Sequence, residues 1–366
     1  MRNKVLTFIL LLLPLGLWGA VCDTTKYTII KSDGFEIQGA VIRKANRETY
    51  KRDTLIVLVP SPAIEKWKAY ACFVDGLVEK GYSLFVYDNT RGDLTQPYEL
   101  GKGSMFGPLM QRYSLHDIAS DASAIYHFLR SQKQYRKSKI GFMGHSEGGI
   151  SALVASCQVN PDFLIQLSSP GVSGANHAYT QNAFLTPGKL EILKTSLGLS
   201  EKELSRLEHN ALEKIVQDSL DYETYEEYVL EKSGLVKADR HKQDMAKWYV
   251  RILWGNRNSH DMAMLKYNPL EYYQKLRCPV LAIFCKNDEL CYALRDMSSF
   301  EKMMFKEEKK FYSALVNSTH SLLRYPDYSL LHTTRSFKHG KNNTLDVEKT
   351  KQVTNIISAW IRKKNE

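Results

Sequence analysis

Lys139-Ile140-Gly141-Phe142-Met143-Gly144-His145-Ser146-Glu147-Gly148-Gly149-Ile150 is the stretch on which the reading of this chain turns. Residues 139–143 predict a short strand. Residues 148–157 are small and apolar, which suits a helix packed closely on a sheet. Between them stands the pattern Gly-x-Ser-x-Gly. As a bare pattern it is weak, because glycine and serine are common. Directly after a strand and directly before a helix it becomes specific. The turn forces strained backbone angles at Ser146, and its neighbours must be small for it to close. The serine then stands at the carboxyl end of the strand, above a helix N-terminus whose dipole favours developing negative charge. The competing reading is an ordinary glycine-rich turn with no chemistry.

Working outward, strands and helices alternate on both sides. Residues 27–43 read as a β-hairpin turning at Asp33-Gly34. Residues 54–59 are continuously apolar, as in a strand buried on both faces. A helix over residues 66–80 ends at Gly81, and residues 82–87 form the next strand. Leu115, Ile118, Ala122, Ile125 and Leu129 recur at helical spacing. Residues 163–167 read as a strand. The alternation implies a parallel sheet covered on both faces.

The pattern breaks over residues 174–267, where only helical signals appear. Ser200 and Glu203 form a capping box there, with Leu199 and Leu204 as its hydrophobic staple. Residues 222–230 and 244–254 read as helices. Tyr222, Tyr225, Tyr228, Trp248, Tyr249 and Trp254 either pack this insertion or line a pocket; their helical spacing favours packing. Strand–helix alternation then resumes, with strands at 279–284 and 310–316 and helices at 293–303 and 347–361. The expected organisation is an α/β core over residues 23–173 and 268–366, split by a helical lid over residues 174–267.

The first 22 residues are set apart. Arg2 and Lys4 precede a broken apolar run, and small residues follow at Gly19, Ala20 and Cys22. This predicts a secretory signal, and with it a secreted or periplasmic protein. The run is too short and interrupted for a membrane span. A lipid anchor on Cys22 is the rival, weakened by the bulk of Val21. Losing Arg2 and Lys4 lowers the chain's net charge of +10 by two. The basic excess is spread, as on a solvated surface; attraction to acidic substrates is the weaker reading. No nucleic-acid motif is present. The six cysteines are too few for a disulfide scaffold, and none has zinc-like spacing. Cys285 and Cys291 either pair or remain free thiols. No metal and no cofactor is expected.

A serine hydroxyl needs a base, and the base needs an orienting acid. With this turn the chain order is serine, acid, histidine. Asp288 follows the strand at 279–284, and His320 follows the strand at 310–316. Glu289 is the alternative acid; His332 and His339 are alternative bases.

Taken together, the sequence resembles serine hydrolases of the α/β-hydrolase superfamily related to dienelactone hydrolases, bile-acid-type acyltransferases, and the prolyl oligopeptidase and aminopeptidase families. It resembles most the bacterial secreted esterases with an N-terminal hairpin and a helical lid. The segments carrying this are the Gly-His-Ser-x-Gly-Gly turn at 144–149, Cys-Pro-Val-Leu at 278–281 with Asp288, Asn317 to His320 at 317–320, and Tyr-Asn-Pro at 267–269. The resemblance runs over residues 27–361. It implies a small-molecule ester substrate and an acyl-enzyme formed on Ser146, with the Glu147 N–H as one oxyanion donor.

One segment departs from the pattern. The turn after the strand at 54–59 reads Pro60-Ser61-Pro62-Ala63-Ile64, where a glycine-containing turn is usual. Proline has no N–H to donate, so either the turn is shifted and Ser61 or Ala63 supplies the second donor, or the hole is weakened. The turn after the strand at 82–87 also carries one extra residue, and Arg91 within it reads as structural. A peptidase is the runner-up, although no group for the substrate amine is evident. An inactive binding protein is a third reading, supported only by the proline turn.

Overall fold

The computed structural model describes residues 22–45, 54–61, 67–89, 114–180, 194–217, 220–255, 259–288, 290–320 and 343–363. Most of the expected leader, Ala63, Arg91, Glu289, His332 and His339 lie outside them.

The chain opens as an antiparallel hairpin of β1 (Cys22–Ile30) and β2 (Glu36–Lys44). Its turn carries Gly34 at φ 81°, in the left-handed region that favours glycine. The core strands follow: β3 (Thr54–Val59), β4 (Ser83–Tyr87), β5 (Lys139–His145), β6 (Phe163–Leu167), β7 (Val280–Cys285) and β8 (Phe311–Val316). They form one sheet in the order β1-β2-β4-β3-β5-β6-β7-β8. Every pairing from β4 to β8 is parallel, and the hairpin is antiparallel.

Both sheet faces are covered, which is why β3 and β7 read as unbroken apolar runs. Alternate residues divide between the layers. Leu55 and Val57 face α2 (Leu115–Ser131) and α3 (Glu147–Val159), with α9 (Pro269–Lys275) and α10 (Ala293–Lys306) on the same side. Ile56 and Leu58 face α1 (Ala71–Glu79) and α11 (Asn343–Lys363), through Phe73, Leu77, Val353 and Ile357.

Between β6 and β7 lie α4 (Gly174–Thr180), α5 (Glu201–Lys214), α6 (Tyr222–Ser233), α7 (Arg240–Gly255) and α8 (Ser259–Leu265). They contribute to a separate apolar cluster around Leu207, Tyr225 and Val250. The expected capping box starts α5: the Ser200 hydroxyl accepts from Glu203 N at 3.3 Å, and Ser200 N donates back to the carboxylate at 2.7 Å. Tyr225 and Tyr249 are buried inside this cluster, Trp254 lies against Tyr225, and Trp248 is half-exposed. Tyr225, Tyr249 and Trp254 pack helices together, as their spacing favoured, whereas Trp248 does not. Among the described residues, no helix is long and apolar enough to cross a membrane.

Candidate active site

The chain runs from β3 outward to β4, then returns across to β5 on the other side of β3. At such a reversal the connecting loops diverge and leave a crevice at the carboxyl ends of the strands. Ser146 follows β5 at this edge, and Ser61 follows β3.

Ser146 has φ 54° and ψ −128°, a conformation that L-residues rarely adopt. Its surroundings impose it. A Cβ on Gly144 would stand 2.2 Å from the Gly148 carbonyl oxygen, and one on Gly149 would stand 1.7 Å from Ser169 Oγ. A Cβ on Gly148 would come within 2.7 Å of the Val59 carbonyl oxygen. The turn is therefore closed by three glycines packed against backbone and β6. Hydrogen bonds fix it further: Ser146 N donates to Leu167 O at 2.8 Å, while Ser146 O accepts from Gly149 N at 3.0 Å and from Ser169 Oγ at 2.8 Å. The serine is half-buried, at the start of α3. A strained serine turn joining a central parallel strand to a helix, in a sheet of this order, decides the architecture.

The chain has the α/β-hydrolase fold.

The same sheet edge carries Asp288 and His320. His320 Nδ1 lies 2.8 Å from Asp288 Oδ2, and both side chains are almost wholly buried. The other carboxylate oxygen accepts from Leu290 N at 2.8 Å and Cys291 N at 2.7 Å, so the group is held from two sides. The loops after β7 and β8 are tied together: Asn287 N donates to Ser318 O at 2.9 Å, and Asn287 Nδ2 donates to Asn317 Oδ1 at 2.8 Å. The His320 ring lies against that of His145, the residue before Ser146, with centroids 4.6 Å apart. The base candidate after β8 thus reaches back beside the turn after β5. A half-buried serine on a strained turn, at the same sheet edge as an imidazole held by a buried carboxylate, supplies the groups that acyl transfer requires.

Ser61 is buried at the end of β3, and its carbonyl accepts from Asn89 Nδ2 at 3.2 Å. Pro60 lies 3.0 Å from the position a Gly148 Cβ would take, so this turn abuts the start of α3. Glu147 is the first residue of α3 and supplies the adjacent helix N-terminus.

Several supporting residues had no recognised signal in the sequence. Ser168, at φ 48°, donates through N to Ile283 O at 2.7 Å and through Oγ to Cys285 Sγ at 3.0 Å. Cys291 Sγ donates to Ser168 O at 3.4 Å. Cys285 and Cys291 are both gathered on Ser168 and are not joined in a disulfide. Asp288, Cys291 and His320 offer ligand atoms within 4.8 Å of one another, a mixed donor set that could hold a metal ion. The carboxylate oxygens there already accept from two amides and face the imidazole, which suits an acid–base pair. Burial pushes the Cys291 thiol well above its ordinary range.

His177, on α4, is a further unanticipated neighbour. Burial pushes its pKa down to about 3, helped by the charges of His320 and Arg295 and opposed by Asp288. It is a neutral imidazole at ordinary pH.

No family model matches the sequence, and neither does any curated protein. Several solved structures are similar. The Pyrococcus furiosus esterase Pf2001 is 11% identical, over 93% of this chain and 92% of that one, with a TM-score of 0.46. A thermophilic esterase from Thermogutta terrifontis is 14% identical, over 93% and 98%, with a TM-score of 0.46. The acylaminoacyl peptidase of Pyrococcus horikoshii is 15% identical, over 93% of this chain but 41% of its own, with a TM-score of 0.46.

Proposed function

We propose that the protein is a serine hydrolase that cleaves carboxylic esters through an acyl-enzyme. The observation that carries this reading is the serine on a strained turn, sharing a sheet edge with an imidazole 2.8 Å from a buried carboxylate. In the proposed cycle Ser146 Oγ attacks the ester carbonyl as His320 takes its proton. The tetrahedral intermediate collapses, and His320 returns that proton to the leaving alcohol. Water, deprotonated by His320, then attacks the acyl-enzyme; the acyl–Oγ bond breaks, His320 returns the proton to Ser146 Oγ, and the acid is freed. Asp288 orients the ring and balances its positive charge.

A panel of nitrophenyl esters of increasing chain length, run beside aminoacyl anilides, tests the reaction class. Esters are expected to turn over with kcat/KM at least a hundredfold above the anilides. Comparable rates on both would replace the esterase by a peptidase. Failure to hydrolyse either, with no fluorophosphonate labelling, would overturn the hydrolase reading.

The oxyanion is assigned to the Glu147 N–H and to the Ser61 or Ala63 N–H, because Pro60 and Pro62 have none to give. The Asn89 bond to the Ser61 carbonyl supports a fixed turn at this place. Pro62→Gly is expected to leave kcat within about threefold of wild type, since another amide already serves. A missing donor typically costs on the order of a hundredfold or more. A gain of that size in Pro62→Gly would mean that the natural turn lacks one.

A further inference from the structure

Beside the catalytic edge, three side chains carry polar atoms that are shut away from water without a hydrogen-bond partner: Arg295, whose side chain as a whole is about a third exposed, Asp296 and His177. Arg295 and Asp296 lie in the first turn of α10, just after the Asp288 loop. Arg295 Nη1 donates to the Thr180 hydroxyl on α4, but Nε and Nη2 are shut away from water with no acceptor. Asp296 is fully buried; its Oδ1 accepts from Gly171 N at 3.0 Å, and its Oδ2 has no partner. Its Oδ1 forms an ion pair with Arg295 Nη2 at 3.8 Å, beyond hydrogen-bond range. His177 is also buried, and its Nδ1 is unpartnered. His177 and Thr180 are three residues apart on α4, so both face the guanidinium side.

Buried polar groups are seldom left unpaired, and buried N–H groups of a charged side chain are among the costliest to leave so. The pair left open on Arg295 is informative. Nε and Nη2 form the side edge of the guanidinium, whose two parallel N–H bonds match the two oxygens of a carboxylate. The position matters too. Cys291, whose N–H holds Asp288, lies just ahead of α10, four residues before Arg295. An anion seated on this edge would stand next to the loop that holds Asp288, whose carboxylate faces His320.

We propose that Arg295, with His177 beside it, is a carboxylate subsite, and that the preferred substrates are esters carrying a free carboxylate on the part bound there. This rests on the ester-hydrolase reading and names its substrate class. The guanidinium edge is closed in the present conformation, so α4 must part from α10 by the width of a carboxylate for the ligand to enter. The chain's net charge of +10 favours the approach of such anions.

The test uses the full-length chain carrying Ser146→Ala, in which turnover is removed and binding is read by calorimetry. The probes are monoethyl glutarate, which has one free carboxylate, and diethyl glutarate, which has none. The half-ester is expected to bind at least tenfold more tightly, and Arg295→Gln to reduce that ratio below about threefold. Arg295→Lys keeps the charge but loses the fork, and should give an intermediate ratio; it also serves if Arg295→Gln does not fold. The ratio is a readout that a purely structural role would not move. Equal affinity for the two probes, binding of neither, or a preference that survives Arg295→Gln would each overturn the subsite. If the half-ester binds through Arg295 while the Ser146 enzyme hydrolyses no ester, the subsite stands and the esterase reading fails. If neutral and acidic esters are hydrolysed with equal kcat/KM, the reverse holds.

Discussion

Ser146→Ala is expected to remove nitrophenyl ester hydrolysis by at least four orders of magnitude and to abolish fluorophosphonate labelling. The size follows from the role: removing the nucleophile of a serine–histidine–acid unit leaves only the residual effect of binding and the oxyanion donors. The fold should survive, because the bonds that hold the turn belong to backbone groups and to Ser169, not to the Ser146 hydroxyl. A second substitution separates chemistry from strain. At φ 54° and ψ −128° the residue is in a region that glycine enters freely. Ser146→Gly should therefore be as inactive as Ser146→Ala yet more stable, by on the order of 1 kcal/mol in chemical denaturation. Hydrolysis near the wild-type rate in either variant would remove Ser146 from the mechanism.

The elbow was legible because three kinds of signal coincided within a dozen residues: an extended apolar run, glycines around a serine, and a small-residue helix. The fully buried strands were equally plain, and β3 and β6 match their expected limits residue for residue. Boundaries drifted where a cap or a turn carried the information. β5 continues to His145, because pairing with β6 holds until the strained serine ends it. α7 begins at Arg240 rather than Asp244, because Asp239 accepts from Lys242 N at 3.1 Å and starts a turn with no apolar period. The order of Ser146, Asp288 and His320 along the chain pointed to a common edge, and the sheet order places all three there.

The cluster around Arg295 had no comparable signal. His177 and Arg295 are far apart in sequence, on an insertion helix and a core helix. Their relation depends on how α4 and the segment before it dock against α10, through Gly171 on Asp296 and Thr180 on Arg295. A Cβ on Gly171 would stand 2.1 Å from the Asp296 carbonyl oxygen, so that approach needs a residue without a side chain. Spacing along one segment cannot encode a contact of this kind. The serine pair after β6 is similar: nothing in the local pattern marks Ser168 and Ser169, yet they brace Cys285, Cys291 and the Ser146 carbonyl.

Asp288→Asn is expected to lower kcat by about 10³–10⁴-fold, and His320→Ala by at least as much. The reasoning for Asp288 rests on which of its oxygens is engaged. Oδ1 accepts from Leu290 N and Cys291 N, while Oδ2 faces His320 Nδ1. An asparagine must place its carbonyl oxygen on the two amides, because its NH₂ group cannot accept from them. The NH₂ then faces Nδ1 and donates to it, so the neutral ring carries its proton on Nε2. That is the nitrogen a base would need free, so the substitution preserves shape and selects the wrong tautomer. Loss of the compensating charge also removes support for the imidazolium formed during attack. KM should change little, since neither group binds the ground-state ester. Thermal unfolding of Asp288→Asn should stay within a few degrees of wild type, because both backbone bonds are retained. Glu289→Gln is the control, with kcat expected within about threefold of wild type. If Glu289→Gln is the damaging change and Asp288→Asn is mild, the acid is Glu289, and the 2.8 Å contact between His320 and Asp288 is structural.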